Sequence, residues 1–290
     1  MATVLHIVNG DGAGDSLKKT GISGDFLICR DLLYDGPRNL GWPDEATLAA
    51  RAEFLEEFTG GGMDTSSILE ILQSHYQQFL TAKTYDNIVL WFDGCLCDQT
   101  MLAHTLVCLD ILQIDQVELI CINSFPGVER FNGLGQLDPS QLASLYGTRQ
   151  HVTKEQIDYA KRVNTIFVTQ DLQLLKELAA DVNAPLPFVP AAAARWIQEQ
   201  PDPDTGLGRL ESLALEAIVG GRNTPGEIFR SVADADVPPQ FWGDITLWQK
   251  INSLTLRTPP LVCIDGPSTM LPQGGNPDEL KKYRVYPSKT

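Results

Sequence analysis

The stretch VLWFDGCLCDQ, residues 89–99, sets two carboxylates, Asp93 and Asp98, five positions apart with two thiols, Cys95 and Cys97, between them. Paired acids coordinate a divalent cation or divide general-acid and general-base work. A thiol here becomes a nucleophile only if a base such as His6 or His104 comes within reach; buried, inert Cys95 and Cys97 are the plainer expectation. A second polar stretch, NGDGAGDS (9–16), has glycines at 10, 12 and 14. It is neither the G-x-G-x-x-G of dinucleotide sites nor a P-loop with its lysine, although backbone N–H groups at a following helix start can hold an anion. Arg30, Arg130 and Arg149 offer guanidinium forks suited to phosphate or carboxylate, or else ordinary ion pairs with the many acids nearby. His6 reads as a hydrogen-bonded core residue, and His75, His104 and His151 show no partner in the sequence.

Four short apolar runs must position these groups: TVLHIVN (3–9), DFLICR (25–30), NIVLWF (87–92) and VELICIN (117–123). They are nearly continuous rather than alternating, as parallel strands covered by helices on both faces are. Helical patterns lie between them, in GDSLKKTG, in PDEATLAARAEFLEEFTG, in DTSSILEILQSHYQQFLTA and in DQTMLAHTLVCLDILQ, the last with Asp98 as its expected cap. Strand alternating with helix predicts an α/β fold with a doubly wound, mostly parallel sheet over residues 1–125. Such sheets bind ligands outside the carboxyl ends of their strands. Those ends carry Asn9 and Asp11, Arg30 and Asp31, Asp93, and Asn123, with Tyr34 or Trp91 on hand for stacking or packing; singly, each acid or amide serves equally as a turn former or cap.

Residues 126–200 read as a helical extension, with a helix opening at Asp138-Pro139, and QPDPDTGLG (200–208) as the domain boundary. From 209 to 290 three helical patterns precede two strand-like runs, PLVCIDG and YRVYPS, the order of a winged-helix-like module. In that segment nine basic residues balance nine acidic ones, so the net charge of −15 resides in the first 208 residues. A neutral module whose third helix offers one lysine, Lys250, speaks against nucleic-acid binding and for packing on the first domain or in a homodimer.

A 43% apolar and 20% charged composition is that of a globular protein with a proper core. The six cysteines show no C-x-x-C pair and no zinc-ligand spacing, the usage of a reduced, cytoplasmic protein. No leader pattern and no membrane-length apolar segment is evident.

The pieces LHIVNGD, GISGDFLICRDLLYDGP, VLWFDGCLCDQ, INSFPGVERFNGLGQL, TRQHVT and TPGEIF, in that order, resemble a bacterial family designated domain of unknown function 1835. The resemblance implies an α/β N-terminal domain followed by a helical C-terminal part, and implies no activity or cofactor. Members of that family carry an acidic residue, often after a histidine, where this chain has Gly94 and Cys95, a departure that alters any chemistry the loop performs.

Taken together, the residues point to a small anionic ligand, nucleotide- or phosphate-like, at the strand-end crevice, lined by Asn9, Asp11, Arg30, Asp31, Tyr34, Asp93, Arg130 and Arg149. If the protein is an enzyme, metal-assisted hydrolysis or transfer at a phosphate suits acids plus arginine. The other reading is a non-catalytic regulatory or interaction protein acting through its C-terminal module.

Overall fold

Runs rich in Val, Ile, Leu and aromatics form the predicted strands, each within a residue or two of its expected ends: β1 (Val4–Asn9), β2 (Asp25–Cys29), β3 (Asn87–Asp93) and β4 (Val117–Ile122). The structure is a computed structural model and describes residues 3–60, 62–236, 241–273 and 277–288. The four strands pair in parallel in the order β2-β1-β3-β4, and a two-residue strand, β5 (Gln150–His151), closes the β4 side antiparallel. Both residues of β5 are exposed and carry no apolar pattern, so only backbone pairing marks them as a strand.

Between β1 and β2 runs a short helix, α1 (Asp11–Leu17); between β2 and β3 come α2 (Glu45–Phe58) and α3 (Thr65–Thr81); between β3 and β4 lies α4 (Leu96–Ile111). Because side chains alternate across a strand, Val8, Val89, Trp91 and Ile120 share one face of the sheet. They pack there with Ala13 and Leu17 of α1, with Leu134 and with Leu142 and Leu145 of α5 (Pro139–Leu145). Asp93 belongs to the same alternating series, two residues beyond Trp91. Every residue of α4 from Leu96 to Leu109 is buried, since the helix lies between β3 and α6 (Lys154–Thr169). A helix buried on all sides belongs in the interior even though it carries Asp98, Gln99, Thr100, His104 and Thr105, and Val163, Ile166 and Phe167 on α6 are buried with it. Helices α7 (Leu172–Ala179) and α8 (Val189–Gln198) follow.

The chain forms two compact units. One comprises Met1–Ala52 and Leu69–Ile197, so the helical stretch after residue 125 belongs to the sheet's own unit instead of standing apart; β5 and α6 tie it there. The other comprises Glu53–Ile68 and Gln198–Thr290. It contains α9 (Arg209–Val219), α10 (Pro225–Ala235) and α11 (Asp244–Thr255), then β6 (Val262–Asp265), α12 (Pro277–Leu280) and β7 (Arg284–Pro287). Both α10 and α11 pack on α9, and β6 and β7 pair antiparallel. Its earlier segment joins through Gln273, whose amide donates to the Phe58 carbonyl at 3.1 Å. Among the described residues, no helix is long and apolar enough to cross a membrane.

Candidate functional site

The connection from β1 leads to β2 on one side, and that from β3 leads to β4 on the other, so the chain changes direction between β1 and β3. The carboxyl ends of strands flanking such a switch point border the crevice where open α/β sheets bind ligands. There the side chain of Asn9, at the end of β1, donates to Asp98 Oδ1 at 2.8 Å and to Cys97 Sγ at 3.4 Å. Asp98 Oδ2 accepts the Asp93 backbone N–H at 2.7 Å. The Asp93 carboxylate in turn accepts N–H groups from Cys95 at 2.9 Å and from Leu134 at 3.1 Å. Gly133 makes that last approach possible: it holds φ at +120°, and a Cβ on it would lie 2.6 Å from Asp93 Oδ2. Gly94 likewise leaves room for the Asn123 amide from the end of β4.

Asp98 is not the expected cap of α4. That position belongs to Cys95, whose sulfur accepts the Asp98 N–H at 3.4 Å, which places Asp98 in the first turn with its carboxylate turned back toward β3. Burial and the neighbouring Asp93 push the Asp98 carboxyl well above the usual carboxylate range, and burial raises Asp93 too, opposed by the N–H groups it accepts. Burial and both carboxylates also keep the Cys95 thiol protonated. The ligand atoms of Asp93, Cys95 and Asp98 lie within 4.8 Å of one another and all three residues are buried. Spacing alone put the two acids in one loop but did not identify Cys95 as their companion.

Neither histidine considered as a base serves these thiols. His6 Nδ1 accepts the indole N–H of Trp91 at 3.1 Å, and because indole only donates, the ring's proton sits on Nε2 and is given to the Ser23 carbonyl at 3.3 Å. Burial lowers the His6 pKa, which favours this neutral form. His104 Nε2 meets the Tyr76 hydroxyl at 2.8 Å and Cys108 Sγ at 3.4 Å.

At the end of β2, Asp31 is fully engaged with a residue that the strand-end argument did not reach. Arg51, on α2, grips both of its oxygens at 2.6 Å and also donates to the carbonyls of Leu32, Asp35 and Pro37. Burial pushes the Asp31 carboxyl up, but the charge and hydrogen bonds of Arg51 outweigh it and hold the group below its ordinary value. One signal could have found Arg51: it shares a helical stripe with Leu48, Ala52 and Leu55, all buried. Cys97 Sγ, 3.9 Å from the Asp31 carbonyl, links this cluster to the one around Asp98.

The other expected residues scatter. Asp11 and Arg30 pair with each other at 2.7 Å on the exposed rim. Tyr34 is buried, its carbonyl taking the Trp196 indole N–H at 3.0 Å, and Trp91 is wholly buried against Tyr146; neither stands ready to stack on a ligand. Arg149 lies over the Tyr146 ring at 4.0 Å and pairs with Glu118 at 2.9 Å. Arg130 is half-buried in the loop before Gly133, its carbonyl accepting from Gln136 at 3.1 Å. The carboxylates of Asp11, Asp31 and Asp93 thus have three separate sets of partners and form no shared metal cage. The glycines after β1 serve packing: Gly10 turns the chain at φ +80°, and a Cβ on Gly14 would strike Ile28 at 2.4 Å.

No protein-family model matches the chain, and no curated protein is found to be similar to it.

Proposed function

We propose that the protein binds a small anionic ligand, nucleotide- or phosphate-like, at the carboxyl edge of its sheet over the switch point between β1 and β3. The observation that carries this reading is the meeting of Asn9 with Asp98 and Asp93, which joins the ends of two diverging strands in one hydrogen-bonded network. Two buried carboxylates repel an anion, so the reading includes a divalent cation at Asp93, Cys95 and Asp98, whose mixed oxygen and sulfur atoms suit a borderline metal such as zinc better than calcium. Backbone N–H groups already orient the two carboxylates and the sulfur, the outer-shell support that metal ligands need. A cation there would reverse the local potential and draw a phosphate group to the crevice, where metal-assisted hydrolysis or transfer is the compatible chemistry.

The test is thermal unfolding of the full chain with AMP, ATP and inorganic phosphate, each with and without Zn²⁺, Mn²⁺ or Mg²⁺. A nucleotide is expected to raise Tm by about 2–4 °C when the metal is present. Gly133→Ala, which presses on Asp93, is expected to abolish that response. A wild-type protein indifferent to every metal and nucleotide pair would sink the reading.

A second reading has its own observation. The second unit, three helices followed by an antiparallel pair, is winged-helix-like in order, and it carries a hollow of about 550 Å³ bounded by Phe229, Trp248, Arg230, Lys281 and Arg284. An apolar floor rimmed by Arg230, Lys281 and Arg284 against one acid, Asp244, favours an interaction module with an acidic partner. The chain is resident in the cytoplasm on either proposal.

A further inference from the structure

Two arginines lie beneath the loop that follows β2, and only one of them is satisfied. Arg51 spends its guanidinium on Asp31 and three carbonyls. Arg38, on the same loop, has both terminal nitrogens, Nη1 and Nη2, sealed from solvent with no acceptor in hydrogen-bond range. The acceptors that could have served it are committed. The oxygens of Asp31 go to Arg51 and the Leu32 N–H, the Asp35 carboxylate turns to the Gly36 N–H at 2.8 Å, and the Asp35 and Pro37 carbonyls go to Arg51. The charges of Asp31 and Asp35 reach both guanidinium groups, but the hydrogen-bond acceptors nearby are spent, so the terminal nitrogens of Arg38 are left without a partner. His104 and His75 add no further positive charge, since both are held neutral by burial, and each presents an unpartnered Nδ1. Burial and the nearby Arg51 lower the Arg38 pKa only to about 10, so the charge persists at neutral pH.

A buried guanidinium whose terminal N–H groups meet no acceptor is unfavourable. A guanidinium fork has the geometry to donate to two oxygens of one anion. We propose that Arg38 anchors the oxyanion end of a ligand, a phosphate or carboxylate group, beneath the 30–44 loop beside Arg51, Tyr76 and His104. The inference rests on the reading that the carboxyl edge takes an anionic ligand, and it names the side chain that holds the ligand's charge. Of the arginines singled out by sequence, Arg30 and Arg149 do not compete for this role, being paired with Asp11 and Glu118.

The probe is inorganic phosphate, titrated into the full chain in the presence of EDTA, with acetate as a parallel arm and Tm as the readout. The wild type is expected to gain about 2–4 °C. Arg38→Met is expected to lose the response while melting no lower than wild type in anion-free buffer, because it removes buried donors that have no acceptor. Arg38→Lys keeps the charge but not the fork, is expected to need about ten times more phosphate, and decides the matter if the Met variant does not fold. A larger response to acetate than to phosphate would identify a carboxylate ligand, still through Arg38. No response of the wild type to either anion, or equal responses in wild type and the Arg38 variants, overturns the proposal. EDTA keeps this result separate from the metal-dependent one: loss of the nucleotide response with metal leaves an Arg38-dependent phosphate response standing, and the reverse pattern leaves only the switch-point reading.

Discussion

His104 and His75 are held neutral because burial lowers their pKa values to about 3 and about 4, whereas an unfolded chain releases these protons near 6.5. As pH falls below about 6.5 the unfolded state binds protons that the native state refuses, so stability falls; the stabilisation is complete above that pH and lost as pH drops through the native values. Urea unfolding at a series of pH values should show this decline beginning near pH 6.5, with a shallower slope in His104→Gln. A wild-type curve flat from about pH 7 to pH 4 contradicts it. Residues at this scale were unevenly legible. Asn9 and Asp93 were visible as polar stops after apolar runs, because a strand leaving a sheet must end at an edge. Arg38 and Arg51 were not, because an arginine in a polar loop or on a helix reads as solvated, and only the fold reveals what covers it. Of the two roles open to Trp91, stacking or packing, it takes packing: it is wholly buried in the core with its N–H on His6, which nothing in its sequence neighbours reveals.

Thr105 lies within α4 with its hydroxyl wholly buried and lacking a partner. Replacing a buried, unpaired hydroxyl by a methyl group removes a desolvation cost with little change in shape, so Thr105→Val is expected to stabilise the chain by about 1 kcal/mol. Differential scanning calorimetry checks this, and a lowered Tm would show that the hydroxyl is satisfied in solution. The elements themselves were largely readable, because four apolar strands and the long amphipathic stretches repeat the periods of their structures. Where the reading slipped, packing overrode local preference. The first helix starts at Asp11, in a glycine-rich stretch that propensity disfavours, because close approach to Ile28 and Gly135 rewards the small residues there. The α4 cap passed from Asp98 to Cys95 because the carboxylate is drawn back to the Asp93 N–H.

At the scale of the whole molecule, the sequence placed a boundary near residues 200–208 and the second unit begins at Gln198, but nothing local announced that Glu53–Ile68 belongs to it as well. Apolar spacing shows that α2 and α3 are helices, not which core each end joins. A fragment spanning 198–290 therefore lacks part of its own unit, including the Phe58 carbonyl that Gln273 meets, and is expected to melt without a sharp transition. Adding a peptide of residues 53–68 should restore cooperativity, and a fragment that melts sharply unaided would show the earlier segment to be dispensable.

The same threading imposes a schedule on biosynthesis. At roughly 10 residues per second, the ribosome releases the 53–68 segment on the order of ten seconds before the first residues of its later companions emerge. For that interval its apolar positions must wait against water or a chaperone. Slower elongation lengthens the exposure, so codon choice between the two segments becomes a lever on the yield of correctly assembled chains.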